Sequence, residues 1–392
     1  MAQTPALGVT VAAWGERGSY NGAMQSNESM GVSAVLARLI HEAIARAGGW
    51  LPFDRFMALA LYAPRLGYYA NDSRKFGHLP QSGSDFVTAP ELSPLFGQAL
   101  ARQVTEALLA SGTHEVWEFG AGSGALAEQL LGALGPVVER YTIVDLSGSL
   151  RDRQRERLAP FGDRVRWIDA LPDALAGVVV GNEVLDAMPV QLLHFDGAGW
   201  QERGVVSNGT AFAWADRPTD RMPPGEGPFV PGTVTEVHPQ AEAFIATLAE
   251  RLDRGAVFLL DYGFPESEYY HPQRVGGTLM CHRAHRADPD PLVDVGQKDI
   301  TAHVNFTGIA LAAQDAGLDV LGYTSQANFL FNCGILDLMK DGDLRTNLPV
   351  QTLLNEHEMG ELFKVIGFAR GCDPAFTAAP LGFARGDRSH RL

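Results

Sequence analysis

Two carboxylates three residues apart, Glu183 and Asp186, lie in Gly181-Asn182-Glu183-Val184-Leu185-Asp186-Ala187-Met188-Pro189, directly after the apolar run Val178-Val179-Val180. Acids so spaced in a turn at a strand exit can both face a crevice, where a carboxylate pair suits a cationic acceptor. A guanidinium has no free lone pair and stays protonated in proteins. Chemistry at its nitrogen therefore needs acids that grip it, polarise it and help the product lose a proton. They also hold the nitrogen in line with the reacting carbon, a positioning effect. A structural reading stands beside this one: Asp186 caps a helix and Glu183 only holds a cofactor. His303, within Asp299-Ile300-Thr301-Ala302-His303-Val304-Asn305-Phe306, is placed for substrate contact or proton handling.

A second constellation precedes the first in the chain. Glu115-Val116-Trp117-Glu118-Phe119 runs into Gly120-Ala121-Gly122-Ser123-Gly124, after which Ala125 to Leu131 reads as a helix. Glycines at 120, 122 and 124 let backbone approach a ligand closely, and the helix start offers unpaired N–H groups. A dinucleotide fold shares that logic, but its fingerprint is G-x-G-x-x-G. Here the spacing is G-x-G-x-G, and the acid Glu118 would face an approaching pyrophosphate. A sulfonium with an amino-acid tail tolerates that acid far better, so the turn points to S-adenosylmethionine rather than to a nicotinamide oxidoreductase. Asp145 ends the next apolar run about twenty residues on, where a carboxylate can accept both ribose hydroxyls. Asp169 and Asn182 end the following two runs. Four polar strand ends in register with a glycine turn make Glu118, Asp145, Asp169 and Asn182 a cofactor-binding set.

These residues require strands that end together. Tyr141-Thr142-Ile143-Val144, Val165-Arg166-Trp167-Ile168, Gly177 to Val180 and Ala256 to Leu260 alternate with helical stretches, the pattern of a doubly wound α/β sheet. Before them, Val32 to Ala47 and Pro52 to Leu61 predict two amphipathic helices, and Thr88 with Pro90 predicts a cap for a helix reaching about Ala110. The expected organisation is a loose tail over 1–30, a helical substrate or cap region over 31–112, and a methyl-donor-binding core over 113–392. Insertions interrupt that core at about 190–237, a β-meander by its Gly, Pro and Asn punctuation, and at 264–305, a long irregular segment suited to a lid. Tyr68, Tyr69, Asp85 and Thr88 fall in loops, where function is expected, and Tyr68, Asp85 and Thr88 are candidates for a substrate loop. The Arg-rich run Arg151 to Arg157 interleaves acids and reads as a solvated helix face.

Composition narrows the classes further. A formal charge of −15 argues against nucleic acid as the main partner. No apolar run approaches the roughly 20 residues of a membrane helix, so membrane insertion is not expected. Cys281, Cys333 and Cys372 lack metal or disulfide spacing. His282 and His285 lack a third ligand at matching spacing, and no metal is expected. A reducing, cytoplasmic location follows from these absences and from a first thirty residues that read as neither secretory signal nor transit peptide; Met24 or Met30 are alternative starts. Nothing in the sequence specifies an oligomeric state.

Leu66-Gly67-Tyr68-Tyr69, Asp85-Phe86-Val87-Thr88-Ala89-Pro90-Glu91, Glu118 to Gly124, Gly181 to Pro189, Asp261-Tyr262-Gly263, Gly277-Thr278-Leu279 and Asp299 to Phe306 together resemble the MidA family, in order, over about residues 33 to 370. The resemblance implies a class I methyltransferase with a Rossmann-like, doubly wound seven-stranded sheet. It also implies a protein substrate bearing an acceptor arginine, since the family includes the mitochondrial complex I assembly factor that dimethylates an arginine. Three positions depart from the pattern: Asp145 stands where Glu is more usual, Val295-Gly296 replaces Pro-Gly, and Asn305 replaces Asp. The expected function is therefore methylation of a protein arginine. The alternative is a cofactor-binding assembly factor for a respiratory-complex-like client, acting without catalysis.

Overall fold

The computed structural model describes residues 28–71, 88–145, 148–225, 227–283, 286–340 and 347–392. Seven strands form the main path of the central sheet, β1 Glu115–Phe119, β2 Arg140–Val144, β3 Val165–Ile168, β4 Leu175–Asn182, β5 Leu252–Phe264, β6 Asp319–Ser325 and β7 Phe363–Arg370, and the short Val304–Asn305 pairs parallel with the end of β5 as an eighth. The order along the main path is β3-β2-β1-β4-β5-β7-β6. All neighbours are parallel except β7, which runs antiparallel to both β5 and β6. The uninterrupted valines 178, 179 and 180 are fully buried, as a strand covered on both faces demands. At the base of the sheet, a Cβ on Gly255 would sit 1.7 Å from the Gly177 carbonyl oxygen; only glycine lets β4 and β5 close there.

Helices α1 Glu28–Arg46 and α2 Phe53–Tyr62 pack beside the sheet, while α3 Pro94–Ser111, α4 Ala125–Leu134, α5 Gly148–Leu158, α6 Pro239–Arg251 and α7 Phe306–Asp315 cover its two faces. The sheet's core has two layers: one joins α3 and α4 to the faces of β1 and β4 that carry Val116, Val178 and Val180. The other joins α6 and α7 to the opposite faces, through Trp117, Val179, Val257 and Leu259.

The helix expected from Thr88 to about Ala110 is two helices, Ala89–Leu92 and α3, broken at Ser93. Ser93 precedes Pro94, which disfavours the helical conformation for it, and it lies extended at φ −152°. Its Oγ accepts the Leu95 N–H at 3.3 Å, so Ser93 caps α3, while Thr88 makes no side-chain cap bond. Between β6 and β7 the described residues form the helices Gln326–Asn332, Ile335–Lys340, Val350–Leu354 and Met359–Leu362.

A second core lies beside the sheet. The predicted meander consists of Gln191–Phe195, Trp200–Ser207, Phe212–Pro218 and Val234–Val237, and Leu51–Pro52 pairs antiparallel with Trp200–Ser207. The 264–305 segment contributes a small antiparallel sheet of Met280–Arg283, Arg286–Asp288 and Asp299–Thr301. Leu36, Phe56, Leu192, Val205, Cys281 and Ile300 from these three separated stretches share one hydrophobic cluster.

Candidate active site

The registered row Ile168, Val144, Phe119, Gly181 and Leu259 crosses five parallel strands. One residue beyond it lie Asp169, Asp145, Gly120, Asn182 and Leu260; the first three have left the sheet, Asn182 ends β4 paired with Leu260, and β5 continues to Phe264. Parallel register thus brings most of the sequence-predicted set to one edge. Gly120, Gly122 and Gly124 have φ of 63°, 52° and 83°, the left-handed region that admits glycine readily. A Cβ on Gly120 would meet Val184 at 3.1 Å, so the turn lies against the Glu183 to Asp186 segment.

Glu118 is 2% exposed and accepts the Tyr141 hydroxyl at 2.7 Å. Burial raises its pKa to about 8, against that hydrogen bond. Asp145 accepts Gln154 Nε2 on Oδ2 at 2.9 Å, and Arg151 Nε holds its carbonyl oxygen at 3.1 Å. Asp169 shares the row but is exposed. Asn182 donates to Glu183 Oε1 at 2.9 Å and keeps a buried Oδ1 without a partner.

The acids of the first constellation do come together. Glu183 sits at φ 54°, its N–H donated to the Leu260 carbonyl at 2.9 Å. Burial and then neighbouring Asp186 raise its carboxyl to about 8. Asp186 is 4% exposed, burial raises it to about 6 against a hydrogen bond from Tyr262, and its Oδ1 has no partner. Asp186 caps no helix; the turn is itself held by Asp261. Asp261 Oδ2 accepts the N–H groups of Val184, Leu185 and Asp186 at 3.1, 2.9 and 3.2 Å, and Oδ1 accepts its own neighbour Tyr262 at 2.9 Å. Burial and the charges of Asp186 and Glu183 push Asp261 up as well. Among the described residues no ion pair reaches Glu183, Asp186 or Asp261.

His303 stands one ring further out. It stacks on Phe264 at 5.2 Å and meets Tyr262 edge-on at 5.0 Å, so it approaches Asp186 through Tyr262. Burial, then the charges of Arg274 and Lys364, lower it to about 4, and its Nδ1 is buried without a partner. At neutral pH it is an uncharged imidazole.

The loop candidates divide. Asp85 lies outside the described residues. Thr88 is half-buried, and the following N–H, of Ala89, bonds to Glu183. Tyr68 is 1% exposed and packs in the second core, so its loop position does not bring it to solvent. Its neighbour Tyr69 reaches the acids instead, its hydroxyl lying 2.8 and 2.9 Å from the two oxygens of buried Asp299. Tyr62 stacks on Tyr69 at 5.6 Å and donates to the Ala187 carbonyl at 2.8 Å.

Sequence reasoning missed Asp261, Asp299, Tyr62 and Gln154 as site residues, and it placed Tyr69 only among the loop residues where function is expected. Asp261 carried the same signal as the others, an acid at the end of an apolar run. The Arg-rich helix is corrected from solvated face to structural support. Its outer pair Arg155 and Asp152 is exposed, but Arg157 bonds Ser123 Oγ at 2.6 Å and Glu91 at 3.1 Å, tying the glycine turn to the Ala89–Leu92 helix. Charge interleaving could not show which helical positions face the turn; the uncharged Gln154 within the run was the available sign.

The family of S-adenosyl-L-methionine-dependent methyltransferases designated Methyltransf_28 matches residues 99–324. A COG1565 superfamily member from Burkholderia thailandensis, solved bound to S-adenosyl-homocysteine, is 52% identical and superposes with a TM-score of 0.88 over 94% of this chain and 100% of that one. The Caenorhabditis elegans mitochondrial protein arginine methyltransferase NDUFAF7 homolog is 26% identical over 81% of this chain and 83% of its own. The human mitochondrial protein arginine methyltransferase NDUFAF7 is 27% identical over 88% and 86%. These relatives correct the cytoplasmic expectation, for they are named as mitochondrial proteins. Unpaired cysteines report at most a reducing environment, which does not single out the cytoplasm. The residues present fit S-adenosylmethionine: a left-handed glycine turn beside a buried acid accommodates a cationic amino-acid ligand, and Asn182 Oδ1 lies buried with an open acceptor. The matched region covers more than half of the sequence and includes the glycine turn and the Glu183 segment, and the chain belongs to the MidA family of S-adenosyl-L-methionine-dependent methyltransferases.

Proposed function

We propose that this methyltransferase acts on an arginine side chain of a protein substrate, with Glu183 and Asp186 holding the guanidinium. One observation carries the reading: Glu183, Asp186 and Asp261 are gathered at the strand ends beside the glycine turn with no cation of the described chain among them. Burying like charges together is unfavourable, and an incoming cation relieves that cost. Tyr62, Tyr69 and Tyr262 supply flat walls suited to a planar cation. The names of the NDUFAF7 relatives agree with this acceptor class.

When bound, S-adenosylmethionine supplies an electrophilic methyl group on a sulfonium. The chain's part is binding and proton handling. Glu118, the turn at Gly120, Gly122 and Gly124, Asp145, Asp169 and Asn182 hold the donor in this reading. Glu183 and Asp186 orient the acceptor nitrogen and take up the proton its methylation releases. Asp261 fixes the turn that carries both acids, and the Thr88 to Ala89 segment borders Glu183. His303, uncharged and behind Tyr262, supports the wall of the acceptor site rather than contributing charge.

The test is incubation with labelled S-adenosylmethionine and an extract from cells lacking this gene, followed by mass spectrometry of the labelled arginine. The expected result is one labelled protein, with label reduced about a hundredfold or more in Glu183→Gln/Asp186→Asn while calorimetry shows unchanged S-adenosylhomocysteine affinity. Label on a residue other than arginine, or full transfer by the double variant, would overturn the assignment. Binding without any transfer would favour a client-binding assembly factor.

A further inference from the structure

Gln154 is fully buried in α5, within a run otherwise made of charged side chains. Its Nε2 donates to the Gly122 carbonyl at 2.9 Å and to Asp145 Oδ2 at 2.9 Å, and its Oε1 accepts the indole N–H of Trp167 at 2.9 Å. The indole is a donor only, so it fixes which way the amide points: oxygen towards Trp167, nitrogen towards Gly122 and Asp145. Both amide protons are then used. The three partners lie on three separate pieces of the strand-end edge, namely the glycine turn, the end of β2, and β3 two residues before Asp169. Beneath the turn, a Cβ on Gly124 would meet Gln154 at 3.5 Å, so the side chain packs against the turn it bonds.

We infer that Gln154 is a positioning residue for donor binding, holding the Asp145 carboxylate at a fixed distance and angle from the glycine turn so that it can accept the ribose hydroxyls. The inference rests on the reading of Asp145 as the ribose acid. Gln154 touches no ligand itself and acts through Asp145. An orienting hydrogen bond to a charged group is among the stronger ones, and a carboxylate without it must be ordered at the moment of binding. Conversely, Gln154→Glu would set a carboxylate against Asp145 and the Gly122 carbonyl, so an amide is required and an acid of the same shape is excluded.

The experiment is calorimetric titration of S-adenosylhomocysteine into the full chain and into Gln154→Met, Asp145→Asn and the double variant, each first shown to unfold cooperatively. Gln154→Met should bind about tenfold more weakly. In the Asp145→Asn background the same change should cost less than about twofold, because the carboxylate it positions is gone. A purely structural role would weaken binding equally in both backgrounds, and that outcome overturns the inference. Unchanged affinity in Gln154→Met, with a clear loss in Asp145→Asn, overturns it while leaving the ribose reading intact. Unchanged affinity in Asp145→Asn overturns the ribose reading itself. Trp167→Phe keeps a ring in place and removes only the donor that orients the amide, so it serves where Gln154→Met fails to fold. Weaker binding supports the inference, and unchanged binding refutes it.

Discussion

At the scale of single residues, the site is defined by acids kept partly protonated. Glu118 and Glu183 lie at about 8 and Asp186 at about 6, each raised first by burial. An unfolded carboxyl titrates near about 4, so between about pH 4 and pH 8 the folded chain retains protons that the unfolded chain has released. The stabilisation is complete below the unfolded value and is lost as pH rises through the folded one. Burial acts the other way on His238 and His303, lowered to about 3 and about 4, and their contribution is lost as pH falls below about 6.5. From about pH 7 to 8 the glutamates therefore dominate this site's pH dependence. The thermal midpoint of ligand-free protein should decline across that interval, and Glu183→Gln should flatten the decline. Equal slopes in the two proteins would place the titrating group elsewhere. The sequence showed that Glu183 and Asp186 share a turn, but not that Asp261, 75 residues from Asp186, fastens it. That pairing depends on which strands become neighbours.

At the scale of elements, apolar runs ended by polar residues were readable because the central strands are buried and their apolar runs end within a residue or two of one another in the parallel register. Val165–Ile168 was expected and found at the same residues, and β5 was found longer than its apolar run, extending to Phe264. The small sheet of the 264–305 segment was not readable, since strands of three or four residues are too short to display a period of two. The break in the helix after Thr88 was legible in principle, because Ser93-Pro94 pairs a good cap with a residue that disfavours the helical conformation for its predecessor. Ser93 is 1% exposed and caps an 18-residue helix central to the larger core. Ser93→Ala should lower unfolding stability by about 1 kcal/mol, measured in urea, with S-adenosylhomocysteine affinity unchanged. No loss of stability would mean that Pro94 alone sets the start of α3.

At the scale of the whole molecule, the acids come from two sources. Glu183, Asp186 and Asp261 belong to the central sheet, whereas Asp299 with its Tyr69 and Tyr62 neighbours belongs to the second core, assembled from the N-terminal helices, the meander and the 264–305 sheet. Tyr62, stacked on the Tyr69 that bonds Asp299, donates to the carbonyl of Ala187 beside Asp186, so the two groups adjoin; burial first, and then the Asp299 charge, raises Tyr62. Periodicity along the chain could not reveal this, because the three contributors meet through residues such as Leu36, Leu192 and Ile300, each more than a hundred residues from the next. Under the proposed function the strand-end edge holds the donor, and the acceptor's site then draws on both cores. Asp299→Asn removes a charge from the acceptor side while keeping an acceptor oxygen for Tyr69. Labelled methyl transfer should fall about tenfold, and S-adenosylhomocysteine affinity should stay within about twofold of the wild type. A parallel loss of both would show that the second core shapes the donor pocket as well. Loss of neither would place the acceptor entirely within the sheet's own acids.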